Sequence, residues 1–353
     1  MGYLIIKIMK TIITTKFVKN LFLSSFALLT TVAFAQEKDK EEEKAKEFTL
    51  GGSVDAYFRT NLSSTDVGAQ NPGTSFADGT GFNLGMANLI ASYESGKVGA
   101  VADLVFGPRG DAAVGGDIPN VNQLYAYWNV SEGTTLTFGR FNTYLGYEVI
   151  SPTGNFNYST SYLFSSGPFS HVGLKADFAL SDDFSLMLAV MNPTDTNFNS
   201  QTGTYALGAQ LGYSGQYLNF YYDGGEVLGF EVDYTGGFDI TEEFFFGINA
   251  ALATDDGTGF YGAALYPQYA TSDALTLGLR GEFFQPIIDG IDTSDISSVL
   301  GLTLTGSFSV DNLTIIPEVR LDSWSDDFEP FLNNDGDATS SLSSFLIAAV
   351  YSF

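Results

Sequence analysis

Beyond residue 47 the chain alternates between apolar and polar positions. Phe48, Leu50, Val54, Ala56 and Phe58 fall on one parity, and Thr49, Ser53, Asp55, Tyr57 and Arg59 on the other. In a strand, parity is face, so this segment predicts a strand with one oily and one wet side. The arrangement recurs. Leu275, Leu277, Leu279 and Phe283 oppose Thr276, Arg280 and Glu282; Leu300, Leu302, Leu304 and Phe308 oppose Thr303, Thr305 and Ser307. Leu313, Ile315, Val319 and Leu321 oppose Thr314, Glu318, Arg320 and Asp322. Val172, Leu174, Ala176 and Phe178 oppose His171, Lys175 and Asp177, and Phe230, Val232 and Tyr234 oppose Glu231, Asp233 and Thr235.

Such segments are read at 48–62, 80–94, 97–107, 121–131, 134–146, 170–181, 183–192, 204–214, 216–223, 226–240, 243–254, 258–270, 274–285, 298–309, 312–322 and 342–353. The count is about sixteen, within a range of about fourteen to eighteen. A soluble sheet would bury the oily face on a core; a transmembrane barrel turns it to lipid and the polar face to a lumen. The segments exceed the ~5–6 residues of soluble strands and fit the ~9–11 a membrane strand needs. Charges at mid-strand, as in Arg280/Glu282 and Glu318/Arg320, require a wet interior. The connections alternate between tight turns, such as Ser95-Gly96 and Ser214–Gln216, and longer loops at 63–79, 108–120, 147–169, 193–203, 286–297 and 323–341. Two on the long side are short, near 223–226 and 255–257. Short turns on one side and long loops on the other are the outer-membrane pattern.

Together these features predict an all-β fold, a transmembrane antiparallel up-and-down β-barrel. Unpaired backbone is costly in lipid, so the first and last strands are expected to pair. Aromatics beside the short turns (Phe178, Phe184, Tyr213, Tyr217, Phe238, Phe244, Phe308, Tyr351 and Phe353) suit an interfacial girdle. Around Arg140 the parity slips, since Leu136 and Phe138 share its face. This predicts a bulge or an early end of the lipid-facing band.

The N-terminus reads differently. Residues 1–35 hold Lys7, Lys10, Lys16 and Lys19, no acid, an apolar run from Leu21 to Phe34, and Ala33-Phe34-Ala35 before Gln36. A run of about 14 residues is too short to span, and the small-x-small end predicts a signal peptide cleaved after Ala35. Residues 36–47, rich in Glu and Lys, read as a charged periplasmic tail, and 48–353 as the barrel.

Composition narrows the chemistry. Charged residues are 16% of the chain, against about 25% in soluble domains. There is no cysteine and one histidine, which excludes thiolate or multi-histidine metal sites and cysteine nucleophiles. No metal or cofactor is expected. The net charge of −26 argues against nucleic acid as a partner. Within 48–353 the basic residues are Arg59, Lys97, Arg109, Arg140, Lys175, Arg280 and Arg320, against 35 acids. A lumen sharing this balance would prefer cations. Asn333-Asn-Asp-Gly-Asp337 matches part of a calcium loop but lacks the closing Glu. It reads as a solvated loop, with divalent bridging to lipopolysaccharide left open.

From Phe138 to Gly173 the chain resembles a known family. Gly139-Arg-Phe, Thr143-x-x-Gly-Tyr-Glu148, Asn155-x-Asn-Tyr-Ser159 and Pro168-Phe-Ser-His-Val-Gly173 are similar to the OmpL-like β-barrel porins of Gram-negative outer membranes, as are Gly52–Tyr57, Gln123–Tyr127 and Val190–Asn192. The resemblance is densest in 138–192. It implies an outer-membrane channel. Sixteen-stranded general porins fold their third long loop inward, and 147–169 has that ordinal place. A constriction is therefore expected at Tyr147, Glu148 and Asn157, with Glu148 facing Arg140, Arg59 or Lys175. Lumen-lining candidates are Asp55, Arg59, Asp103, Lys175, Asp177, Glu231, Asp233, Arg280, Glu282, Glu318 and Arg320.

The leading expectation is a porin passing small hydrophilic solutes by diffusion. A plugged structural or adhesive barrel is the second reading. A hydrolase built on His171 with Asp177 is the third, a Ser–His–Asp arrangement being open. Expected partners are outer-membrane lipid and lipopolysaccharide, solutes or cations, the barrel assembly machinery through the strand ending at Phe353, and two further copies in a homotrimer.

Overall fold

The computed structural model describes residues 46–66, 70–325 and 328–353. The expected signal peptide and nearly all of the charged tail lie outside the described residues. The strands are β1 (Glu47–Asn61), β2 (Gly81–Ser95), β3 (Val98–Phe106), β4 (Val121–Ser131), β5 (Thr134–Asn142), β6 (Ser170–Ala179), β7 (Phe184–Met191), β8 (Ala206–Tyr213) and β9 (Gln216–Tyr222). They continue as β10 (Phe230–Asp239), β11 (Phe244–Asp255), β12 (Thr258–Ser272), β13 (Leu275–Ile287), β14 (Val299–Val310), β15 (Leu313–Trp324) and β18 (Ser341–Ser352). Each pairs antiparallel with its neighbours, and β18 pairs with both β15 and β1, closing a sixteen-strand barrel. At the seam Gly52 and Phe353 exchange backbone bonds of 3.0 Å in both directions. Two short strands, β16 (Phe331–Leu332) and β17 (Ala338–Thr339), form a hairpin within the last long loop that alternation does not mark.

The two faces separate as lipid and lumen demand. Leu84, Phe138, Leu302, Leu304 and Val319 are exposed, whereas Arg280, Glu282, Glu318 and Arg320 on the alternate parity are buried. Turn-side aromatics stand outward, and Phe184 and Tyr213 on adjacent strands pack with centroids 4.6 Å apart. Tyr217 is an exception: it pairs in register with Gly212, and its ring lies where a Gly212 Cβ would be, on the inner face.

Bulges occur on β1–β2, β3–β4, β4–β5 and β12–β13. On β2, Gly85 and Met86 oppose the single residue Asp55, and Met86 N–H donates to Asp55 Oδ1 at 3.1 Å. None falls at Arg140, whose ladder to Val172 is continuous. The parity slip there is the early end of the lipid band. Arg140 is on the Phe138 parity but buried, donating to Asn122 O (3.0 Å) and to Asn197 of the 193–203 loop.

Two short helices lie in loops: α1 (Pro108–Val114) after β3 and α2 (Tyr162–Ser166) in the connection from β5 to β6. Ser161 caps α2, its Oγ accepting from Phe164 N–H at 3.0 Å.

Candidate functional site

The β5–β6 connection is held against inward-facing residues of the wall by charge on nearly every contact. From β13, Arg280 Nη1 meets Glu148 Oε1 at 2.7 Å and donates to Ser159 O at 2.6 Å, while Nη2 reaches Thr160 O and Thr303 Oγ1. Glu148 Oε2 accepts from Ser161 N–H (2.7 Å) and Oγ (2.8 Å). Two residues along β13, the Glu282 carboxylate accepts the Tyr162 and Leu163 amides at 2.9 and 2.8 Å. From β15, Glu318 accepts Tyr158 N–H at 2.6 Å and Ser159 N–H at 3.1 Å. Arg320 grips Asp322 bidentately and donates to Thr160 O at 2.7 Å. Asn157 Nδ2 donates to Thr305 Oγ1 on β14 at 2.6 Å. Asp55 on β1 accepts the Tyr158 hydroxyl at 2.5 Å. Wall carboxylates thus take the loop's amides and wall guanidiniums take its carbonyls. Ionised partners make these stronger than neutral bonds.

Apolar contacts reinforce the anchoring. Tyr158 packs with Ile316, Leu346, Ala348 and Val350, and Tyr162 and Leu163 with Phe260, Phe284 and Val299. Tyr147 stacks on Tyr266 of β12 with centroids 4.3 Å apart. Burial, then the charge of Glu148, pushes the Tyr147 hydroxyl up to about 12, so it stays protonated. On the far side, Gly146 N–H donates to Asp233 Oδ2 of β10 (3.1 Å), and Tyr144 donates to Phe220 O of β9 (2.7 Å).

Arg109 of α1 was not among the residues singled out from sequence. Its Nε donates to Ile150 O (2.7 Å) and its Nη1 to Tyr158 O (3.1 Å), with Phe76 4.5 Å away beneath the guanidinium. Burial pushes its pKa below the usual arginine value. The one available signal was its place as the sole basic residue in the long loops of 48–353. Asp322, which orients Arg320, was also missed as a site residue.

The expected oppositions across the lumen are corrected in detail. Glu148 meets Arg280, not Arg140, Arg59 or Lys175. Arg140 is turned into the outer loops. Arg59 donates to Gln70 O, Asp78 O and Asn61 Oδ1. Lys175 pairs with Asp177 at 2.8 Å in a partly exposed position nearer the short turns. Asp103 is inward and buried, gathering amide donors from Asn88, Asn122 and Gln123. Glu231 and Asp233 lie buried on β10. The hydrolase arrangement is not assembled at His171. Its Nε2 meets Thr143 Oγ1 (2.9 Å), Ser170 Oγ donates to Asp195, and Asp177 is taken by Lys175.

A closed antiparallel cylinder, apolar outside and polar within, with a long connection anchored to its inner wall, defines the porin class of outer-membrane barrels. The profile of the family described as "Putative beta-barrel porin-2, OmpL-like" matches residues 47–353, and the chain belongs to that family. Among solved structures, it resembles the outer membrane channel DcaP of Acinetobacter baumannii at 13% identity and TM-score 0.59, covering 90% of this chain and 100% of that one. It also resembles the anion-selective porin from Comamonas acidovorans at 10% identity and TM-score 0.57, covering 88% and 100%. A third is OmpT of Vibrio cholerae in its trimer form, at 11% identity and TM-score 0.53, covering 88% and 100%. At these identities the likeness is one of fold. No curated protein sequence matches the chain.

Proposed function

We propose that this porin-family barrel passes small hydrophilic solutes by diffusion across the outer membrane, with a preference for cations. The observation that carries the reading is the polar inner wall, partly open near the short turns. There the side chains of Lys175 and Asp177 are 26% and 41% exposed, though both sit on the inner parity. The anchored segment 147–169, with Tyr147, Glu148 and Asn157, is proposed as the constriction.

The charge balance supports cation preference. Arg280 and Arg320 are paired with Glu148 and Asp322, and Arg109 lies buried beneath the outer loops, donating to backbone carbonyls from Nε and Nη1. Residues 48–353 carry 35 acids against seven basic residues. Uncompensated carboxylates favour cations in a low-dielectric pore. Liposomes carrying the full chain should swell in small neutral sugars and release potassium faster than chloride. Equal sugar exclusion by protein-free liposomes would refute the channel.

A plugged barrel is the second reading. Its support is the tight fit around Arg59, Thr74, Glu318 and Arg320, where a gap of only about 10 Å³ remains. Residues 1–35 are proposed as a leader removed after Ala35 and 36–47 as a periplasmic tail. The terminal strand ending at Phe353 is proposed as the handle for barrel assembly. A homotrimer is proposed on the likeness to the Vibrio cholerae trimer form, testable by chemical cross-linking in native membranes.

A further inference from the structure

A cavity of about 250 Å³ lies between β1, β2, the first long loop and α1, lined by Tyr57, Phe76, Asp78, Asn83, Arg109 and Tyr158 among others. It is smaller than the ~300–1,000 Å³ pockets that hold drug-sized molecules. Two of its lining groups carry opposite charges and incomplete bonding. Arg109 has committed Nε and Nη1 to carbonyls, and its buried Nη2 has no hydrogen-bond partner. Asp78 has a buried Oδ1 with no hydrogen-bond partner; Arg59 donates to its backbone carbonyl, and Arg59 and Arg320 act on its carboxylate electrostatically without a hydrogen bond to that oxygen. Tyr57 lies within electrostatic reach of both Asp78 and Arg109. Its oxygen accepts Gly79 N–H at 3.1 Å, which leaves the phenolic proton to donate. Phe76 and Tyr158 wall the guanidinium with ring centroids at 4.5 and 5.3 Å. Asp55 and Glu148 act on Arg109 from further off, and each is committed to other donors.

A buried guanidinium N–H without an acceptor and a buried carboxylate oxygen without a donor are each costly. One small molecule carrying both charges would relieve both at once. A simple anion or cation would relieve one. We propose that this cavity binds a small zwitterion of amino-acid size, its carboxylate on Arg109 and its ammonium on Asp78, with Tyr57 between them. This is an equilibrium site at the outer mouth and does not depend on the channel conducting. Burial holds the Asp78 carboxyl at about 6, so it is ionised at neutral pH.

The test is calorimetric titration of the full chain in detergent at neutral pH with L-alanine, acetate and methylammonium. Alanine should bind once per chain, and either half-ligand roughly tenfold or more weaker. Asp78→Asn should bring alanine down to the level of acetate. Arg109→Met should abolish binding of both alanine and acetate. If that variant fails to fold, the ligand series and D78N decide. Alanine binding no better than acetate, or undiminished in D78N, would overturn the proposal.

Discussion

Arg280 and Glu148, 132 positions apart, meet at 2.7 Å with both side chains almost wholly buried. The pair fastens the loop to the wall. Desolvating two such charges offsets much of their attraction, but removing one partner strands the other. Arg280→Met should therefore cost about 3–5 kcal/mol, and E148Q/R280M together less than the sum of the singles. Denaturant unfolding of the four variants in detergent measures the cycle. Additive losses would show that the pair is not coupled.

Glu282 and Glu318 accept four loop amides between them. Bonds to a charged group contribute about 1.5–3 kcal/mol each. E282Q/E318Q should loosen residues 148–166 while leaving the barrel closed. Limited proteolysis reads this: cleavage in that segment in the double variant, resistance in the wild type, and an unchanged heat-modifiable gel shift in both.

Asp78 gives the first long loop a pH dependence. Burial raises its carboxyl from 3.8 to about 6, with Arg59 and Arg320 opposing. A carboxyl raised on folding stabilises fully below the unfolded value, and that contribution is lost as pH rises through the folded one. The loop should thus be held best below about pH 4 and lose up to about 3 kcal/mol by pH 7. D78N should flatten that segment of a stability-versus-pH curve, read by hydrogen exchange of residues 72–80. An unchanged slope would assign the dependence to another group.

Gly85 sits where a Cβ would lie 1.5 Å from Asp55 Oδ2 and 2.6 Å from the Tyr158 hydroxyl. G85A should displace the Asp55–Tyr158 bond, costing roughly 1.5–3 kcal/mol. The tyrosine should then fluoresce differently and iodinate faster. Wild-type iodination of Tyr158 would contradict this placement.

The barrel was legible because lipid and lumen demand opposite chemistry at alternate positions. Leu279 beside Arg280, and Val319 beside Arg320, state their faces outright. The parity slip at Arg140 marks the early end of the lipid band, but parity does not say what lies beyond it, so Arg140 was set opposite Glu148 although Asn197 of an outer loop covers it. It is equally silent on which wall residue a loop will reach. The partner of Glu148 depends on how the whole connection docks. One hint did exist. Residues 345–350 are apolar on both parities, which requires something apolar on the inner side, and Tyr158 is packed there. Arg109 was passed over because a single basic residue in a loop has no pattern to mark it.

The central claim is that water fills part of the cylinder and ions cross it. Purified full-length protein in a planar bilayer, bathed in a potassium chloride gradient, tests it most directly. The account predicts stepwise current increments with a reversal potential on the cation side, and altered conductance in Glu148→Gln. An electrically silent bilayer with protein demonstrably inserted would contradict it.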